Sequence, residues 1–293
     1  MSQERRSLSG WIFDSANSLF IMFLMILMLY PFWYMIAGSL SDPVAIFGQR
    51  GLLLWPKGFS LDAYRAVFGN KLIWSGYRNT LLYLVAGTTV NLLLTAFGAY
   101  ALSRRGVYFR NLIMGMIVFT MFFDGGLIPR YFLVYRLGLI DNRLALILPG
   151  AIGTMNMIIM RTAFAGISES MEESARIDGA NDFTILFRIM IPIAMPVVAV
   201  MILFYGVGHW NAWFDAMIYL SKRNLYPLQL VLREILINHS TDMTTGTVGT
   251  DVQPIGETIK FATIIVATVP VLVIYPFLQR YFVKGVMIGS LKE

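Results

Sequence analysis

Six stretches of this chain run for most of a bilayer's width with almost no charge. The first lies between Asp14 and Asp42, and the second between Arg78 and Arg104. The third begins after Arg110 and passes Asp124, an acid near its far end. The fourth runs from Arg143 to Arg161, the fifth from Arg188 to Asp215 and the sixth from Lys260 to Arg280. A helix needs about 17–25 apolar residues to cross a membrane, and lipid offers the backbone no hydrogen-bond partners, so such runs are held to helix. The expected fold class is all-α integral membrane. A single domain over 1–293 is expected, with spans at 16–38, 79–103, 109–130, 143–161, 189–214 and 258–280. Six spans put both termini on one side. Composition agrees: charged residues make up 14% of the chain, against about 25% in a soluble domain.

The amino-terminal run is too long for the apolar core of a cleaved signal, and no small-x-small site follows it. With no cysteine, disulfide and thiolate chemistry are excluded. The net charge of +6 needs no acidic partner, because basic residues flank membrane spans in any case. Lys and Arg divide almost evenly between the two sides. The tight segment "RRGVYFR" (104–110) carries three arginines in seven residues, and short loops weigh most in the positive-inside rule. Both termini are therefore expected in the cytoplasm.

Three absences narrow the function. Within the runs only His209 is ionisable and well inside, with Asp124 and Asp215 near ends. Ion-coupled transporters place carboxylates or histidines near the midplane. No lysine follows a glycine, so no G-x-x-x-x-G-K phosphate loop exists. The two histidines, His209 and His239, are far apart and form no H-E-x-x-H. The chain has no expected catalytic residue, metal site or cofactor of its own, and any ATP it depends on must be hydrolysed elsewhere.

One segment breaks the apolar pattern. "MEESARIDGANDFTILFRIMIP" (171–192) holds Glu172, Glu173, Arg176, Asp178 and Asp182 close together. Ser170 and Glu173 stand in the relation of a capping box, with Ser168 as an alternative cap. Gly179 suits a left-handed turn, where a side chain costs about 1–2 kcal/mol. Asn181 or Asp182 can cap a second short helix, with Phe183, Leu186, Phe187 and Met190 on its apolar side. Pro192 and Pro196 mark entry into the fifth span. The product is an L-shaped helix pair, which by pattern alone is equally a docking knob or an interfacial helix solvated on one face.

The spacing of that segment resembles the EAA signature of bacterial ABC importer permeases, E-A-A-x3-G-x9-I-x-L-P. It reads Glu173-Ser174-Ala175, Gly179, then Ile189-x-Ile191-Pro192, with Ser replacing one alanine and Ile the leucine. The segments 79–104, 144–164 and 275–293 are similar to carbohydrate-uptake permeases, the group that includes the smaller maltose permease subunit. In appearance they are nearest to the aldouronate and alginate types. The resemblance implies a type I importer fold with coupling helices over about 168–190. Glu173, Ser174, Ala175, Asp178, Gly179, Ile189 and Pro192 would then couple the chain to an ATPase. It also implies the partners: a second, different permease subunit, two ATP-binding subunits that hold ATP and Mg, and a periplasmic or lipid-anchored solute-binding protein. The location would be the bacterial cytoplasmic membrane. The cargo would be an oligosaccharide, with a uronate-containing one as the candidate the resemblance raises.

Other polar residues bear on a pathway. Gly87, Asn91, Thr95 and Gly98 form one stripe on the second span, and small or polar stripes more often mark helix contacts than ligands. Asn91 and Asn156 are candidate path residues on those terms. "HWNAWFD" (209–215) offers Trp210, Asn211, Trp213 and Asp215, which suit sugar rings or a membrane-interface belt equally. The stretch 221–257 is expected as an outer loop. Its Thr- and Gly-rich middle is either a flexible connector or, as the resemblance implies, a contact for the binding protein through His239, Asp242, Thr245 and Gly246. The alternatives to an importer subunit are an ion-coupled secondary transporter, an ABC permease for a non-sugar solute, and a membrane scaffold or enzyme.

Overall fold

Helix accounts for most of what the computed structural model describes, residues 8–46, 51–104, 106–245 and 253–290. Among these residues no strand forms, and one isolated bridge pairs Ser41 with Phe59. The chain divides into two units, one of Met1–Asn70 with Glu234–Val269 and one of Lys71–Arg233 with Pro270–Glu293.

In the first unit, helix α1 (Leu8–Ser39) is apolar all round, and no residue of its most hydrophobic window is buried. Such a surface belongs in lipid or against another protein. Its carboxy-terminal end is better anchored. Tyr30 Oη accepts from the Leu53 amide at 3.0 Å, and Trp33 Nε1 donates to the Leu54 carbonyl at 2.8 Å. Ala37, Ile46 and Leu53 form a small core with Tyr34 and Phe261. Gly38 lies under the Phe261 ring, where a Cβ would come within 2.7 Å of it.

The second unit is built on α2 (Lys71–Ser103), α3 (Arg110–Phe122), α4 (Leu127–Arg136) and α5 (Thr154–Ala165). It continues through α6 (Glu169–Ile177), α7 (Asp182–Ile193), α8 (Met195–Trp210) and α9 (Phe214–Tyr219). Its core joins α2, α5, α7 and α8 through Ala96, Ala99, Tyr100, Met157, Met160, Phe164, Ile185, Met190, Met201 and Tyr205, among others. Small residues let these helices approach closely, the usual basis of packing where lipid removes the hydrophobic driving force. Gly98, for example, lies where a Cβ would sit 3.1 Å from the Met157 sulfur.

By length and composition, three helices among the described residues can cross a membrane: Gly10–Ser39, Lys71–Ser103 and Gly256–Val273. Counting two bent pairs as single spans gives up to five. The expected third span, 109–130, is α3 and α4, bent by 113°. Gly126, at φ +83°, turns the chain there, with its amide bonded to Asp124. The expected fourth span, 143–161, holds a 3₁₀ turn (Arg143–Leu146) and then only the twelve-residue α5, about 18 Å long. Pro149 and Gly150 lie in the non-helical stretch between them. The expected fifth span, 189–214, starts later, because α7 and α8 meet at 88° around Ala194. Pro196, in the first turn of α8, has no N–H to continue the earlier helix. The stretch 221–257 is not merely a loop, since helix α10 (Leu228–Thr245) occupies much of it. The last helix, α11, is Gln253–Ser290.

Candidate functional site

The polar segment forms the expected corner. Helix α6 begins at Ser168, whose hydroxyl accepts from the Ser170 amide at 3.4 Å. The cap is thus Ser168 and not the Ser170–Glu173 box, and Glu173 is exposed. The helix ends on Gly179 at φ +85°. The Gly179 amide donates to the Arg176 carbonyl at 3.0 Å and the Ala180 amide to the Ala175 carbonyl at 2.9 Å. These two bonds make a Schellman motif, which satisfies the last carbonyls of α6 and fixes the turn. Asn181 then caps α7, accepting from the Thr184 amide at 2.8 Å. The two caps and the left-handed glycine leave the corner little freedom.

Its faces differ in character. Ile185, Leu186 and Met190 of α7 are buried, whereas Phe183 and Phe187 meet the edge of Phe97 and remain exposed. On α6 and the turn that ends it, Glu173, Ser174, Asp178 and Gly179 are exposed, Ala175 is half-buried, and Ile177 is 87% exposed. Ile189 is half-buried and Pro192 exposed. An exposed isoleucine among carboxylates at a rigid corner is a surface suited to a protein partner.

Glu172 faces the other way. Its Oε2 accepts from Arg104 at 2.8 Å, and its Oε1 from Tyr100 Oη at 3.2 Å and Arg176 at 2.9 Å. Arg176 also bonds Asp182, so one guanidinium joins α6 to α7. The Glu172 hydrogen bond, ahead of the Asp182 charge, holds Arg176 above its ordinary pKa. Sequence reasoning counted these charges but missed their pairing. Arg104 is 68 positions from Glu172, and no local pattern links them.

The glycine and polar stripe of α2 is a helix contact. Asn91 is buried and donates through Nδ2 to the Gly150 and Ala151 carbonyls at 3.0 and 2.8 Å. Its Oδ1 lies 2.7 Å from His209 Nε2, and because an amide oxygen only accepts, His209 donates. The His209 ring covers Gly87, where a Cβ would be 2.3 Å from Nε2. A π-helical turn, Tyr83–Gly87, lies at the same place. Thr95 bonds Tyr205 at 2.7 Å, and Asn156 is half-buried beside Gly153.

In the aromatic segment, Trp210 is buried beside Tyr77, and the face of Trp213 is covered by Arg233 at 4.1 Å. Asp215 pairs with Arg130 at 3.0 Å, while Asn211 is exposed. The structure therefore does not gather Trp210, Asn211, Trp213 and Asp215 around one open surface. His239, Asp242 and Thr245 fall in the backbone of α10, and Gly246 lies outside the described residues. The beginning of this region is firmly held. Asn79 Nδ2 donates to the Asn224 and Tyr226 carbonyls at 2.7 and 3.1 Å, and Tyr83 Oη to the Leu225 carbonyl at 2.8 Å. Thr80 Oγ1 accepts from the Leu228 amide at 2.8 Å.

No family model matches the chain. Among curated proteins of Bacillus subtilis (strain 168), it is similar to Protein LplC, 40% identical over 97% of this chain and 96% of that one. It is equally similar to the polygalacturonan/rhamnogalacturonan transport system permease protein YtcP, 40% identical over 96% of this chain and 98% of that one. Among solved structures, it matches a chain of a bacterial ABC transporter involved in the import of the acidic polysaccharide alginate. The TM-score is 0.85 and the identity 34%, over 96% of this chain and 100% of that one.

Proposed function

This chain belongs to the permease subunits of carbohydrate ABC transporters. We propose that it forms half of the pore of an ATP-driven importer for an acidic, uronate-containing oligosaccharide. The observation that carries the coupling part is the capped corner at Gly179, which presents Glu173, Ser174 and Ile177 to solvent on a rigid helix pair. In this reading the corner is cytoplasmic and docks on one of two ATP-binding subunits, which hold ATP and Mg. A second, different permease completes the pore. The chain crosses the bacterial cytoplasmic membrane six times, with both termini inside. The acidic cargo is supported by two of the similar proteins, whose polymers, a polygalacturonan and alginate, both carry uronate carboxylates. Residues 239–252 meet a solute-binding protein on the outer side.

The test is uptake into vesicles holding this chain, its partner permease, the ATP-binding subunits and the binding protein. Uptake should require ATP and favour oligogalacturonate or alginate oligomers over neutral oligosaccharides of the same length. Deleting 239–252 should remove the stimulation of ATP hydrolysis by loaded binding protein. Equal uptake of neutral sugars would remove the acidic cargo. Uptake without ATP, driven by an ion gradient, would overturn the importer reading as a whole.

A further inference from the structure

Neighbouring carboxylates on α6 point in different directions. Glu173 is exposed, whereas Glu172 lies inward with its side chain 11% exposed. Its main partner, Arg104, is 14% exposed and stands immediately after α2. The Arg104 guanidinium spans three helices. Nη1 reaches Glu172 of α6, Nη2 donates to the Phe164 carbonyl of α5 at 2.7 Å, and Nε bonds the Ser103 hydroxyl of α2 at 2.9 Å. The Phe164 carbonyl is among the last of α5, where a cation also meets the negative end of the helix. Arg161 adds a second tie at this end, donating to the Leu102 carbonyl at 2.9 Å. The ends of α2 and α5 thus form one block, and Glu172 is bound into it by Arg104 and Tyr100.

We propose that the Arg104–Glu172 pair is the tether that passes movement of the α6–α7 corner to the intramembrane helix α2. Both are positioning residues for transport and not docking residues. The inference rests on the coupling role proposed for that corner. A rotation of α6 must either carry the end of α2 with it or leave two largely buried charges without each other. Burial makes the second course unfavourable. Arg176 keeps the corner itself together through Glu172 and Asp182, so the corner moves as a piece.

The test uses the full importer in vesicles and reads three quantities: bound ATP-binding subunits, ATP hydrolysis and substrate uptake. Glu172→Gln keeps the shape and removes the charge. It should keep the ATP-binding subunits bound yet lower uptake per ATP hydrolysed by about fivefold or more, the lower edge of typical coupling between sites. The exchange Arg104→Glu with Glu172→Arg should recover part of that ratio, which a general loss of stability would not. Should Glu172→Gln fail to reach the membrane, Arg104→Lys gives the same reading, because it keeps the charge but cannot bridge α5 and α6 at once. A wild-type uptake ratio in the variant that reaches the membrane would overturn the tether. The coupling reading is separable, since it falls only if disrupting the Gly179 corner leaves the ATP-binding subunits bound and active.

Discussion

Helix α2 is fastened at both ends, but by different chemistry. At the Asn79 end, neutral side chains reach backbone: Asn79 and Tyr83 bond carbonyls of 224–226, and Thr80 takes the Leu228 amide. At the Arg104 end, the fastening is a charge network of Arg104, Glu172, Arg176 and Asp182, with Tyr100 and one carbonyl added. A bond to backbone fixes where a segment runs, whatever residues it carries. A bond between charged side chains depends on both identities, so it can be exchanged, screened or redistributed. Glu172 has three donors and can lose one while keeping two, which suits a joint that moves. The Asn79 end is held chiefly to backbone, with Arg143 Nη2 only at 3.5 Å from Asn79 Oδ1, and suits a fixed platform.

Breaking the charged end should cost most. Arg104→Met leaves Glu172 largely buried without its main counter-charge and frees the Phe164 carbonyl. Breaking one side of a buried pair costs about 3–5 kcal/mol, and Arg176 holds the effect to the lower part of that range. Thermal unfolding in detergent reads it, and the loss should be larger than for Arg176→Met, whose guanidinium is half exposed. Equal losses would mean that burial does not distinguish the two arginines.

The neutral end should give less, and little of it should depend on salt. Asn79→Ala strands two backbone carbonyls, at about 1–3 kcal/mol, and Tyr83→Phe removes the bond to the Leu225 carbonyl, at about 1 kcal/mol. Unfolding compared at low and high ionic strength would show the contrast, with the screened contribution confined to the exposed Arg176–Asp182 pair at the other end. A salt-dependent Tyr83→Phe effect would contradict it.

The smallest effect is in acid. Asp141 sits at φ +57° and accepts from the Ser221 and Lys222 amides, which hold its carboxyl below the usual carboxylate range. With the folded pKa depressed, its contribution is complete above the unfolded pKa and is lost as pH falls through the folded one. Asp141→Asn should flatten that part of the acid-side stability profile by removing the same small contribution at neutral pH, leaving the acid limit least changed. An unaltered acid limb would show that the pin is irrelevant to stability.

The corner was readable because its signals are local. Glycine adopts φ +85° without strain and asparagine at small cost, whereas other side chains do not, and Gly179 stands between two polar caps. The competition between Ser168 and Ser170 was not decidable from spacing, because either hydroxyl can reach a free amide of the first turn. The breaks at Gly126 and Ala194 did carry marks, in "DGGLIP" and in Pro192 and Pro196. An uncharged run nevertheless reads as continuous when only its length is weighed. The Arg104–Glu172 pair and the Asn91–His209 bond join residues 68 and 118 positions apart. They depend on how α2, α5, α6 and α8 pack, which no single segment encodes.

The central claim is that the Gly179 corner joins this permease to its ATP-binding subunits through its shape. Apart from its own chain neighbours, no atom of the described residues lies within 4 Å of where a Gly179 Cβ would stand, so substitution there acts through backbone conformation and not through a clash with a packed neighbour. Gly179→Asn, which tolerates the left-handed region, should therefore stay near wild type. Gly179→Val, for which that region is a marked outlier, should insert and pair with the other permease but lose the ATP-binding subunits on purification. The direct measurement is the amount of ATP-binding subunit that copurifies with each variant at equal permease. Retention by Asn and loss by Val is the predicted result. Equal retention by both would contradict the account, and the corner would then be an interfacial turn with no part in coupling.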